Sequence, residues 1–147
     1  MTGKLSEMLA ILETYEPVSA NGANINMVGI NMANFDRAVF ILQTGVLGTN
    51  ATVDFRLQQS TSVNGTYANI SGKSITQLTQ AGTDDNKQVV IEIKSDELDV
   101  SNAKMFVRGQ IDVGAAASLV SAIVLGQPTR FEPASTFNQA AVDEIVA

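Results

Sequence analysis

Cysteine, histidine and tryptophan are all absent from this chain of 147 residues. Without cysteine or histidine the chain has no disulfide, no thiolate or imidazole metal ligand, and no catalytic triad built on imidazole. Basic residues are also scarce, since nine Lys and Arg stand against fifteen Asp and Glu, for a net charge of −6. Clustered basic residues supply most of the affinity for a phosphate backbone, so we expect no nucleic-acid partner.

Long apolar runs and export signals are missing too. Every apolar run is shorter than the roughly 20 residues that cross a bilayer, so we expect no membrane partner. Lys4 is followed by Glu7 without an apolar core between them, which is unlike a signal peptide. The remaining Ser, Thr, Lys, Tyr and carboxylate side chains form no nucleophile elbow, phosphate loop or metal motif. We therefore predict a soluble protein without a cofactor that is not an enzyme.

The dominant pattern of the chain is that of short strands separated by turns. Val53, Phe55 and Leu57 alternate with polar residues, which is the period of a strand with one dry face. The range 38–43 is apolar as far as Leu42 and predicts a strand covered on both faces, whereas the small residues at 114–118 predict a hairpin. About eight strands with such turns predict an all-β fold, an antiparallel β-sandwich or jelly-roll-like barrel over residues 18–127. The predicted strands lie near 25–29, 38–43, 51–59, 67–70, 74–79, 89–93, 105–111 and 119–125.

The two ends of the chain are predicted to be arms attached to this domain. Residues 1–17 form the first arm, with a helix over 4–15 whose apolar side chains share one stripe and which Pro17 ends. Residues 128–147 form an extended second arm with a short terminal helix. Each arm has two interpretations, because it can pack on its own domain or dock on a partner. The candidate partner contacts are Leu5, Met8, Leu9, Leu12, Phe131, Phe137 and Ile145.

Two acidic clusters resemble calcium ligands only superficially. The cluster at 84–86 and the group of Asp96, Glu97 and Asp99 lack the spacing of a calcium loop, so we interpret both as solvated turns. We predict that Ser95 or Asp96 caps one helical turn, and that Leu98 and Val100 hold this turn against the core.

Four pieces of the sequence carry a family resemblance. Three are pairs of motifs and the fourth is the glycine-rich link after residue 43. The pairs are 53–60 with 64–70, 94–100 with 104–108, and 121–126 with Pro128 and Arg130. In this order and spacing they resemble small virion structural proteins of tailed bacteriophages that are encoded near the major capsid gene. The resemblance covers roughly residues 20–133 and leaves out both arms. It departs from the family at Phe106, where tyrosine is usual, and at Tyr67, where tryptophan is common.

The resemblance implies a capsid decoration, or cement, protein that binds the outside of the shell and stabilises capsomer junctions. Its partner would be the major capsid protein, and it would sit on the capsid as a homo-oligomer, a dimer or trimer. It would be made in the cytoplasm of the bacterial host and reside in the virion. Two alternatives stay open: a head-tail connector or tail component, and a host-facing β-sandwich module that binds carbohydrate.

Overall fold

The computed structural model describes residues 3–129 and 133–147 and is mostly antiparallel β. One helical turn, α1, precedes eight strands, and 3₁₀ turns occur at Met32–Asn34, Ser95–Glu97, Val100–Asn102 and Ala134–Phe137. The elements are α1 (Leu5–Met8), β1 (Ala10–Asn26), β2 (Ile30–Asn31), β3 (Phe35–Thr44), β4 (Thr52–Ser60), β5 (Ala68–Ser74), β6 (Leu78–Thr79), β7 (Gln88–Lys94) and β8 (Phe106–Pro128).

The sheet is built around β8, which is 23 residues long. One edge of β8 pairs with β1 along most of its length and with β2 at its start. The other edge pairs first with β4, where Phe55 lies opposite Ile111, and later with β3, where Phe40 lies opposite Val124. Because β8 changes its pairing partner from β4 to β3, the sheet divides into two layers that share β8. We call them the β4 layer (β4, β5 and the first half of β8) and the β3 layer (β3, β7 and the second half of β8).

The inner faces of the two layers share one hydrophobic core. Its largest side chains are removed from water almost completely, and burial of each contributes roughly 1.5–3 kcal/mol. The free edges of β5 and β7 approach each other at Lys73, whose Nζ donates to the Glu92 carbonyl at 2.8 Å and forms an ion pair with Glu97 at 2.9 Å. The sheet is therefore nearly closed. The centre of the core is formed by Phe40, Leu42, Phe55, Leu57, Ile93 and Ile111.

The predicted all-β fold and the short N-terminal helix are confirmed, but the helix over 4–15 is wrong. Only Leu5–Met8 is helical, and β1 begins at Ala10. A helix of that length is marginal in water, whereas β1 pairs its backbone with the open edge of β8. Pro17 lies in the outer strand at a register shift, where no ladder hydrogen bond is needed, so it does not end the element.

The predicted hairpin at 114–118 is also wrong, because β8 runs through it without a break. The small residues instead mark the place where β8 changes its partner: pairing with β4 ends at Gly114, and pairing with β3 begins at Val120. Ala115 has a φ of 67°, a bulge-like conformation that bends the strand at this point.

The chain ends attach to the sheet closely. The range 1–17 includes the first part of β1, and β8 extends to Pro128, the first residue of the range 128–147. In the described part of the chain, no helix has the length and apolar character needed to cross a membrane.

Candidate interaction surfaces

The outer face of the β4 layer is polar, and its side chains bond to one another. Arg108 Nε donates to Gln58 Oε1 at 2.9 Å, and Arg56 Nε donates to Gln110 Oε1 at 2.9 Å. Arg56 also forms an ion pair with Asp112. Because this ladder satisfies its own donors and acceptors, Gln58 and Gln110 are buried without cost to their hydrogen bonding.

Tyr67 lies at the end of this polar ladder. Its hydroxyl donates to the Val63 carbonyl, and the Arg108 guanidinium stands 4.0 Å from the ring centroid. Burial raises the pKa of Tyr67, and the charge of Arg108 opposes that rise. One face of the ring is therefore covered by a cation, which is unlike the open aromatic platform that the carbohydrate-binding alternative needs.

The outer face of the β3 layer has the opposite character. Val39 and Ile41 of β3 lie beside Leu125 and Ile123 of β8, and Val90 of β7 lies beside Ile41. We call these five residues the apolar face. Four of them are half-buried and Val90 is 60% exposed. They form an aliphatic surface that Leu9 and β1 border but that no second layer of the described chain covers.

The apolar face corrects the prediction for the range 38–43. Its inward residues Ala38, Phe40 and Leu42 are buried, but its outward residues Val39 and Ile41 are not covered by a second layer. The sequence signal was present in the continuous apolar run. It predicts a strand covered on both faces, and in the described part of the chain only the inner face is covered by the chain itself.

The candidate contact residues of the N-terminal segment lie in different environments. Leu5 is 68% exposed, Met8 and Leu9 are half-buried, and Leu12 packs against the core beside Gly126. Leu9 also borders a groove on the apolar face side, lined by Val39 and Leu125 among others. The structure thus separates Leu12, which belongs to the domain, from the exposed Leu5.

The C-terminal segment folds back onto β1. Phe137 packs edge-on against Phe35, with ring centroids 5.3 Å apart and an interplanar angle of 73°. The Gln139 amide donates to the Ile11 carbonyl at 2.8 Å, and the Ile11 amide donates to Asn138 Oδ1 at 2.8 Å.

The outer part of this segment leaves apolar groups in water. Ile145 is 45% exposed, and Phe131 lies outside the described residues. The turn at Ala134–Phe137 also contacts α1, and Ile145 lines a surface groove with Ser135 of this turn, so the two ends of the chain meet at one corner. We call this corner the terminal cluster: Leu5, Met8, Leu9, Phe137 and Ile145.

The carboxylates at 84–86 organise their loop by binding backbone amides. Asp85 Oδ1 accepts from the Leu47 amide at 2.7 Å, and Asp84 Oδ2 accepts from the Thr79 amide at 2.9 Å. Within residues 3–129 and 133–147, no three acidic side chains come together as a metal site.

The second acidic group forms the predicted helical turn, with a different cap. Glu97 Oε2 accepts from the Lys94 amide at 2.7 Å, so Glu97 closes the turn and the predicted cap at Ser95 or Asp96 is wrong. Leu98 is buried as predicted, whereas Val100 is 58% exposed. The hydrogen bond from the Lys94 backbone amide lowers the pKa of Glu97, and the side-chain hydrogen bond from Lys73 lowers it further by a smaller amount.

Comparison with known proteins finds solved structures of similar fold but no family to which the sequence can be assigned. No protein-family model matches the sequence, and no curated protein matches it. A chain of the Bacillus endospore appendages, which are disulfide-linked pili, is 13% identical with a TM-score of 0.45, over 88% of this chain and 98% of the other. A chain of broad bean stain virus is 10% identical with a TM-score of 0.45, over 92% and 91%. At these identities and TM-scores, what the chain shares with the two proteins is a β-rich architecture.

Proposed function

We propose that this chain is a structural protein of a tailed-bacteriophage virion, a decoration protein that binds the outer capsid surface and acts without catalysis. The observation that carries the proposal is the terminal cluster. It gathers apolar groups of both chain ends at one corner of the β domain, with Leu5 and Ile145 open to water. Exposed apolar side chains that are grouped in one patch, rather than scattered singly, mark contact sites on a partner.

The residues behind the family resemblance support the same role. Two of the three motif pairs lie on the main strands of the fold: 53–60 forms most of β4, 64–70 leads into β5, and 121–126 lies in the last part of β8. The third pair, 94–100 with 104–108, covers the turns that follow β7 and the start of β8. The resemblance therefore concerns the frame of the domain, whereas the terminal cluster lies outside it and supplies the contact. Each apolar group contributes roughly 1.5–3 kcal/mol when fully buried, and many copies on one lattice multiply a weak contact.

The first experiment measures the molar ratio of this chain to the major shell protein in purified particles by quantitative peptide mass spectrometry. A ratio near one, or a simple fraction of it, supports a decoration role across the lattice. A handful of copies per particle favours the head-tail or tail alternative, and absence from particles refutes a virion role.

A second experiment tests the terminal cluster itself. Shells that lack the chain are mixed with purified protein and sedimented. We expect Leu5→Asp and Ile145→Asp to lose binding, while Val28→Asp, at a similarly exposed valine away from the cluster, binds like the unsubstituted chain. Equal binding by all three variants would refute the assignment of the contact to the terminal cluster.

A further inference from the structure

We propose that the apolar face is the contact between two copies of this chain, which pack sheet against sheet. This inference concerns Val39, Ile41, Val90, Ile123 and Leu125, none of which belongs to the terminal cluster. It does not rest on a virion role, because it follows from the face alone.

The geometry of the face suits a second sheet. Leu125 and Val39 form one row across the strands, and Ile123, Ile41 and Val90 form the next. The residues between them point inward, and Glu92 of β7 continues the first row beside Val39, so the centre of the face is aliphatic and a carboxylate lies at its edge. Two β-sheets pack face to face about 10 Å apart with interdigitated side chains. A flat aliphatic sheet is therefore the natural cover, and the apolar face of a second copy provides one.

The size of the face indicates how stable the contact is. The whole outer face of the β3 layer, counting β1 as a fourth strand, has strands about 4.8 Å apart and four residue rows about 6.8 Å apart, from Arg37 to Gln43. It covers roughly 500 Å² per copy, and the apolar face is the central part of it, about 200 Å². Two copies would bury about 1,000 Å², close to the lower limit for specific interfaces and below the usual 1,600 Å². We therefore expect a dimer that dissociates on dilution.

The charges around the face favour another copy over a strongly charged partner. Arg37, at the end of the apolar rows, has Asp36 and Glu92 each within 3.7 Å, so cation and anions offset one another there. The opposite end carries the uncharged Gln43 and Ser121. Because Arg37 offsets part of the charge of the two carboxylates, the face itself carries little net charge, and two chains of charge −6 repel each other less through it than through a more acidic surface.

A matched pair of substitutions tests the proposal. Val90 is 60% exposed on the face, and Val28 is 59% exposed in the connection between β1 and β2. Sedimentation velocity from about 10 µM to about 1 mM covers the range of weak dimers. We expect the unsubstituted chain and Val28→Lys to dimerise with concentration, and Val90→Lys to associate at least about tenfold more weakly, since it buries a charge.

A second measurement leaves the face intact. The chain has no cysteine, so Gln43→Cys offers one site for a spin label at the rim of the face. A defined distance between two labels, lost when Val90→Lys is added, supports the dimer. A monomer throughout the concentration range, or equal weakening by Val28→Lys, overturns it. If the chain stays monomeric but Val90→Lys no longer binds particles, the face belongs to a different protein and the proposal is wrong.

Discussion

Replacing Phe137 by alanine tests whether the C-terminal segment is part of the folded domain. Phe137 is half-buried, packs edge-on against Phe35 at 5.3 Å and contacts the shared core. The segment is tied to β1 by the hydrogen bond from Gln139 to Ile11. If these contacts hold in solution, the ring contributes to the stability of the whole domain.

The size of the effect follows from the burial of the ring. A fully buried Phe→Ala change costs about 3–5 kcal/mol, and half-burial of Phe137 reduces this to about 2 kcal/mol. For a chain of this length each kcal/mol lowers the melting temperature by about 2–4 °C. Phe137→Ala should therefore melt about 4–8 °C below the unsubstituted chain in a circular dichroism melt at neutral pH.

The control is Val146→Ala, which trims an apolar residue of the same segment that is 87% exposed. It should change stability by no more than about 0.5 kcal/mol. A double-mutant cycle with Phe35→Leu should give a coupling of about 0.5–1.5 kcal/mol between the two rings. If Phe137→Ala melts like Val146→Ala, or the coupling is zero, the segment is a free arm and our assignment is refuted.

Three further predictions concern single side chains. Gly109→Ala should destabilise the domain by about 1–3 kcal/mol in urea unfolding, because its Cβ would lie 2.8 Å from both Met27 Sδ and Phe55 Cε2, and equal stability would refute this packing. The lowered pKa of Glu97 means that its contribution is present above the ordinary carboxyl pKa of 4.5 and is lost as the pH falls below it. Glu97→Gln should therefore show less acid destabilisation than the unsubstituted chain, and an identical pH profile would contradict this. Arg108→Ala should raise the pKa of Tyr67 further in an ultraviolet titration, because the cation above the ring is lost; an unchanged transition would show that Arg108 does not face it.

The strands with alternating apolar and polar residues were predictable from the sequence, because an alternation of period two places all the apolar side chains on one face of the strand. β4 follows this rule, since Val53, Phe55 and Leu57 are buried as the alternation predicts. The N-terminal segment was not predictable, because Leu5 and Leu12 fit a helical stripe as well as a strand. Pairing with β8 makes this segment a strand rather than a helix. The paired residues are more than a hundred positions apart in the sequence, so no local sequence pattern predicts the pairing.

The two outer faces argue for an interaction surface more strongly than any single residue does. Arg56 and Gln110 on the β4 layer bond to neighbours within the same face, so this surface is complete when the chain is alone. Val39 and Ile41 on the β3 layer are as apolar as the core but have no layer above them. A strand that is aliphatic on both sides belongs in a sheet that is covered on both sides. One side of this sheet is covered by the chain itself, and the proposed dimer would cover the other side, which the Val90→Lys and Val28→Lys pair tests.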